Sequence, residues 1–237
     1  MIEYDGSEFD GFQIQKHTKN TVVGTLIDTF KSLGIETKVV GSGRTDKGVH
    51  ASFQVIHFFL PHYWAKKSLL ELKERLNQKL KAIRFKYISY ADKDFHAQYS
   101  AKSRVYRYII SIKEPSVFQK RYSSFYPLKN TKLFIEAIKA FEGEHNFKFF
   151  KKEGSFTSSD TRVIYKTKVI ERNNYLIVYF FANGYLRNQI RLMIAAALAV
   201  EQKQLTLKEL QEQINAKKRY ITKAACPRGL YLARVFY

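Results

Sequence analysis

The sequence is short of the residues that build disulfide scaffolds, flexible linkers and membrane spans. Its 237 residues include one cysteine, Cys226, four prolines and 11 glycines. A lone thiol makes no internal disulfide and supplies no zinc site by itself, so no structural metal is expected. With so little Pro and Gly, no low-complexity linker divides the chain. The longest apolar run ends at Val200 and falls well below the roughly 20 residues that cross a bilayer. The first residues, Met1-Ile2-Glu3-Tyr4-Asp5, are acidic where a secretory signal carries bases. Acids are scarce overall, with 21 Asp and Glu against 41 Lys and Arg. These shortages describe a soluble, cytoplasmic protein with no membrane partner.

What is present is enough for a packed interior. A content of 45% hydrophobic and 15% aromatic residues suits one large domain or two small ones. The formal charge of +20 and pI near 9.8 create a field that attracts polyanions. Nucleic acid is the first partner this implies, with an anionic membrane surface second. The cations are spread along the chain, as in Lys66, Lys67, Lys73, Arg75, Lys79, Lys81, Arg84 and Lys86. On a helix such residues form a solvated face as readily as an RNA contact, so the total carries the reading.

Periodicity predicts a helix over 22–33, with Val22, Val23, Leu26, Ile27, Phe30 and Leu33 on one face. Thr21 is placed to cap its start and Gly34 its end. Strands are predicted over 37–40 and 53–60, then a basic helix from about 66 to 81 and a strand over 83–90. A second half begins near residue 100, giving halves 1–100 and 101–237. It holds a strand over 104–112, a helix over 132–141, strands over 163–172 and 175–181, helices over 186–200 and 207–215, and a last strand over 230–236. Asn173-Asn174 marks a hairpin turn between the paired strands. Strands and helices in mixed blocks indicate an α+β fold, with helices on one face of a largely antiparallel sheet.

The densest chemistry lies in Gly41-Ser42-Gly43-Arg44-Thr45-Asp46-Lys47-Gly48-Val49-His50-Ala51, a glycine-rich loop with one carboxylate between two cations. It falls between two predicted strands, where catalytic groups are often carried on a rigid scaffold. Its glycines permit positive φ and close approach to a ligand, or serve a plain turn in which Asp46 bonds its own backbone. Two nucleotide motifs are excluded: the order Lys47-Gly48-Val49 is not a Walker loop, and Asp46 stands where a dinucleotide fingerprint needs its third Gly.

That loop closely resembles the catalytic loop of TruA-type tRNA pseudouridine synthases, usually GRTDxGVHA. Further stretches fall in the family's order: YDGSEFDGFQIQ at 4–15, DFHAQYSA at 94–101, RVYRYII at 104–110, GEHNF at 143–147, NGYLRNQIR at 183–191 and GLYL at 229–232. The match spans nearly the whole chain. It implies two related halves whose sheets join, with the active cleft between them. It also implies that the protein acts on tRNA at the anticodon stem-loop, positions 38–40, as a homodimer in which one tRNA touches both subunits. Pseudouridine formation breaks the bond from ribose C1′ to uracil N1, turns the base and joins C5 to the same carbon. Nothing is oxidised and no group is imported, so no cofactor is expected.

By residue-to-residue match, Asp46 is the catalytic aspartate, acting as a nucleophile at C1′ or C6 or as a base toward a ribose proton. Arg191 matches the arginine that pairs with it, although helical arginines are mostly exposed. Tyr106 matches the tyrosine that stacks on the target base, and shares a strand face with Tyr108, Ile110 and Ile112 that equally suits core packing. Arg44 matches a residue that reaches RNA and helps expel the nucleotide, and Leu230 one that walls the uracil pocket. His50 and His96 sit inside matched motifs. The chain departs from the family in a first strand that is short or lacks its start, in Phe12 for a customary Trp, in Gln98 for a usual Arg, and in Asn188-Gln189 where apolar residues or Met are common. Two rivals remain: a non-catalytic RNA-binding or chaperone module, which has no need of Asp46, Tyr106 and Arg191 together, and an RNase, disfavoured for want of a metal cluster or histidine pair.

Overall fold

A computed structural model describes residues 1–65 and 67–237. The chain forms two compact units, Met1–Lys102 with Tyr231–Tyr237, and Ser103–Leu230. Each combines a mixed sheet with helices, so the fold is α+β.

In the first unit, β1 (Ile2–Tyr4) has only three residues, yet it is paired on both sides. It runs antiparallel to β3 (His50–Gln54) and to β5 (Ile83–Phe85), with Ile2 opposite Gln54 and Phe85. The last strand, β11 (Leu230–Phe236), lies parallel to β3, with Tyr231 opposite His50 and Leu232 opposite Ala51. Short strands suffice here because Ile2, Phe85 and Leu232 are fully buried, and burial rather than ladder length stabilises a sheet. A separate ribbon pairs β2 (Val40–Gly41) with β4 (Ile56–His57). The predicted strands 37–40 and 53–60 are therefore corrected: the sheet strand starts earlier, at His50, and the chain leaves it at Val55, whose carbonyl accepts from Ser42 N–H.

Helix α1 (Val22–Ser32) buries Val22, Val23, Leu26 and Phe30, and Thr21 caps it by accepting from Gly24 N–H. Gly34 follows at φ +74°, the left-handed close that favours glycine. After α2 (His62–Ala65), α3 (Leu69–Lys79) starts at a Ser68 cap. The predicted start at Lys66 lies outside the described residues. Asn77 on α3 exchanges two hydrogen bonds with the backbone of Phe85, at 2.7 and 3.0 Å. The strand predicted over 83–90 is corrected: β5 ends at Phe85, and the N–H groups of Lys86 and Tyr87 both turn to the Met1 carbonyl.

The second unit is built on β6 (Ser103–Ser111), β10 (Tyr175–Ala182), β9 (Thr161–Arg172) and β8 (Gly143–Asn146), all antiparallel in that order. Strand β7 (Ser124–Phe125) runs parallel beside β6. Sequence patterning missed β7 and β8: Gly143-Glu144-His145-Asn146 carries no apolar alternation, and only the partner strand gives it a ladder. The hairpin at Asn173 forms as predicted, with that residue at φ +53°. Along β10, Leu176, Val178, Phe180 and Ala182 are buried while the intervening residues are half-buried. Helix α4 (Thr131–Lys139) packs on β9 and on α5 (Gln189–Glu201), and α6 (Leu207–Ile214) packs on α5. Buried Glu201 at the end of α5 accepts from the N–H groups of Lys129 and Asn130, satisfying donors at the start of α4.

Candidate active site

The Asp46 loop is held through its backbone. Val49 N–H donates to the Asp46 carbonyl at 3.1 Å, and Gly48 takes φ +77° at the third position of that turn, where an L side chain is strained. Thr45 is buried; its hydroxyl meets Tyr4 Oη at 2.7 Å and its carbonyl accepts from Phe12 N–H at 3.0 Å. Ser42 donates to Gln54 Oε1 at 2.5 Å, and Gln54 Nε2 donates to the Gly43 carbonyl at 2.8 Å. Every one of these partners except Gln54 lies in the loop or in the stretch 4–15. The two motifs far apart in sequence are one structural object.

The glycines of that stretch explain its form. A Cβ on Gly6 would overlap the Val49 carbonyl, and one on Gly11, at φ +123°, would stand 3.2 Å from the Thr45 carbonyl. A Cβ on Gly41 would overlap the Phe12 ring, so the residue that replaces a customary Trp fills the floor under the loop. Gly6 N–H donates to His50 Nδ1 at 3.1 Å, and the His50 ring stacks on Tyr231 at 4.6 Å. His50, 2% exposed, is a structural histidine that fixes the loop's exit into β3.

Of the two cations flanking Asp46 in sequence, Lys47 pairs with Asp10 at 2.7 Å. Hydrogen bonds from Lys47 and Thr18 hold the Asp10 carboxyl below the usual carboxylate range. Arg44 is exposed and Asp46 half-buried. Sequence reading missed Asp10 and Gln54; the only available signal for either was its place inside or beside a matched motif.

The stretch 94–101 is similarly self-supporting. His57 Nδ1 accepts from Ala97 N–H at 3.0 Å, and His96 Nδ1 accepts from Gln98 and Tyr99 N–H, both at 3.2 Å. Burial, and then the neighbouring His96, push the His57 imidazole below its ordinary range. Gln98, exposed in place of the usual Arg, ties into this motif through its backbone N–H, a donor that Arg supplies equally.

In the second unit, Tyr106 lies on β6 opposite Phe180, 7% exposed, on the same buried face as Tyr108 and Ile110. Its ring meets Tyr185 edge to face at 5.1 Å. Desolvation, and then Tyr106, push the Tyr185 hydroxyl well above its ordinary range, so it stays protonated. The core reading of Tyr106 is therefore met structurally, and the ring is rigidly seated.

Arg191 stands in the first turn of α5, a helix in which 11 of 13 residues are buried; Arg191 and Ala195, one turn apart, are the exceptions. Its Nε donates to the Ala225 carbonyl at 2.7 Å and its NH1 to Asn188 Oδ1 at 3.1 Å. Asn188 takes φ +65°, a left-handed conformation that Asn tolerates better than most residues. Gln189, 1% exposed, accepts from Leu186 N–H at 2.8 Å. Both departures from the family pattern thus have local work: Asn188 orients Arg191, and Gln189 closes the turn into α5. Leu230 is buried and follows Gly229, where a Cβ would crowd the Ile109 carbonyl at 2.6 Å. Arg44 and Asp46 share one loop of the first unit, while Tyr106, Arg191 and Leu230 come from β6, α5 and the head of β11.

A family model described as tRNA pseudouridine synthase matches residues 1–100 and 137–237. The chain is 42% identical over 241 residues to tRNA pseudouridine synthase A of Helicobacter hepaticus, covering 100% of this chain and 97% of that one. It is 39% identical over 238 residues to the protein of that name from Wolinella succinogenes, covering 100% and 93%. The Helicobacter pylori protein of the same name is 33% identical over 241 residues, covering 100% and 97%. Among solved structures, a chain of a Cbf5-Nop10-Gar1 complex overlays with a TM-score of 0.38 and 15% identity over 81% of this chain and 44% of that chain, too slight a likeness to carry argument. The chain belongs to the tRNA pseudouridine synthase family. It is accordingly an isomerase, converting uridine to pseudouridine in tRNA, and nothing favours the non-catalytic module.

Proposed function

We propose that Asp46 is the catalytic carboxylate of this reaction and that its targets are uridines of the anticodon stem-loop, positions 38–40. The observation that carries this is the frame around the loop: the backbone is tied at residues 42, 43, 45, 46 and 49, so the aspartate is presented by a pre-set scaffold. Pre-organisation of this kind removes the reorganisation that a mobile carboxylate would undergo during attack. Asp46 bonds to C1′ or to C6, or takes a ribose proton; the C1′–N1 bond breaks, the uracil turns, and C5 joins C1′ as the bond to Asp46 breaks or the ribose proton returns, C5 giving up its hydrogen as a proton.

Arg191 steadies the carboxylate charge in this reading, because a guanidinium presents a fixed fork of donors. Tyr106 supplies a face for the extruded uracil, Leu230 an apolar wall, and Arg44 a cation toward the RNA. The enzyme works in the cytoplasm as a homodimer. The discriminating experiment uses unmodified tRNA labelled with tritium at C5 of uridine, because joining C5 to C1′ expels that hydrogen. Release by the wild type and none by Asp46→Asn supports the assignment; equal release by both refutes it. Tritium retained at all but positions 38–40 tests the target, and sedimentation at micromolar concentration tests the dimer.

A further inference from the structure

The second unit carries cations besides those assigned above to the reaction. Arg104 lies on β6 two residues before Tyr106, and its NH1 donates to the Asn183 carbonyl at 3.2 Å. Arg162 lies on β9 with its side chain along Gly184, where an added Cβ would meet Arg162 Nε at 3.6 Å. Asn183 joins the two strands: its N–H donates to the Val163 carbonyl at 3.2 Å, and its Oδ1 accepts from Val163 N–H at 3.1 Å. Two guanidiniums from different strands thus converge on the turn that leads into Tyr185, whose hydroxyl donates to the Arg104 carbonyl at 3.4 Å.

Like charges at one turn repel, and an anion bound between them relieves that repulsion. Burial first, and Arg104 also, pull the Arg162 pKa down, with only Asp160 opposing. Asp160 is itself engaged by Lys151 at 2.7 and 2.9 Å. A phosphate suits two guanidiniums at one turn, since their forks bind its oxygens with charge-assisted hydrogen bonds.

Arg162 also fixes one end of a neighbouring loop, donating through NH1 to the carbonyls of Ser159 at 2.9 Å and Thr161 at 2.6 Å. The other end is held by Lys152 N–H on the Arg187 carbonyl at 3.0 Å and by the Arg219–Glu153 pair. Between these anchors Phe156 is 103% exposed. A large ring held wholly in water by a tied loop adds nothing to the core, and offers a stacking face for an unpaired base.

We propose that Arg104, Arg162 and Phe156 form an RNA clamp outside the catalytic residues, in which the two arginines take a backbone phosphate and Phe156 stacks on an unpaired base. This rests on the reading of tRNA as substrate. Anisotropy titrations of labelled, unmodified tRNA against the wild type, Arg162→Gln, Arg162→Lys and Phe156→Ala, over a salt series and with thermal melts alongside, test it. Phe156→Ala weakens binding about tenfold with the salt slope kept, since stacking releases no counterion. Arg162→Gln weakens binding and lowers the slope by about one, and Arg162→Lys restores the slope. In turnover, each change falls on KM more than on kcat. Should Arg162→Gln melt early, Phe156→Ala decides, because its ring is outside the fold: an unchanged Kd for that variant overturns the clamp, as does a wild-type Kd and slope for Arg162→Gln. If the wild type releases no tritium while these binding effects hold, the isomerase assignment fails and the clamp stands.

Discussion

The two units hold the side chains proposed for catalysis by opposite means. In the first, Asp46 rides on a loop held by polar contacts and by glycines that let backbones touch. In the second, Arg191 projects from a helix sunk almost entirely in apolar core. A carboxylate that must react at a set point gains from a hydrogen-bonded frame, whereas a long arginine needs a rigid base and two or three contacts along its length. Charge divides in the same way. The first unit holds 17 Lys and Arg against 11 Asp and Glu, a net +6, while the second holds 24 against 10, a net +14. Most of the formal positive charge therefore lies in the unit that does not carry Asp46, so the proposed chemistry and the attraction for RNA are expected to respond to different mutations.

The sharpest test of that separation is Asp46→Asn, which is expected to lower tritium release by about a thousandfold or more while leaving the tRNA Kd within about twofold. A variant that lost binding along with turnover would erase the contrast between the units. Next comes Gly6→Ala, whose Cβ has no room beside Val49. Overpacking at such a site costs about 1–3 kcal/mol, and thermal melting should show it together with a lowered kcat. Tyr4→Phe removes the bond to Thr45 and should cost about 1 kcal/mol, with a fall in kcat and little change in Kd; unchanged kcat would show that the frame does not position Asp46.

A smaller effect is expected from acidity. The folded state lowers the His57 pKa and uses its Nδ1 as an acceptor. Protonation is therefore disfavoured in the folded chain: this contribution is complete above an unfolded pKa of about 6.5 and is lost as pH falls below it. The wild type should lose more melting temperature than His57→Gln on acidification from about pH 7.5 to 5.5; parallel curves would count against it. The smallest effect belongs to Asp10→Asn. Lys47 in the Asp10–Lys47 pair is largely solvent-facing, so loss of the pair should show as a slight change in melting at low salt that shrinks at high salt.

Much of this was legible in the chain itself. Helix α1 and its Thr21 cap, the Asn173 hairpin and β11 follow from local pattern, and the Asp46 loop stands out by composition alone. Lys47 was not legible: beside Asp46 in sequence, it turns to Asp10. Nor was β8, whose polar residues acquire strand geometry only from Thr161–Ile164 opposite. Phe156 carries no signal in its neighbours, since exposure is a property of the folded surface.

The sequence by itself determined the helices with clear stripes, the basic character, and the residue types available for the chemistry, because each depends on neighbours within a few positions or on simple totals. Tertiary structure alone decided that residues 4–15 are the frame of the loop at 41–51, that Gly6 and Gly11 are required by the backbone at Val49 and Thr45, and that two arginines share one turn. Those facts arise from hydrogen bonds and close approaches between distant segments, and no local periodicity encodes which distant segment a residue will meet.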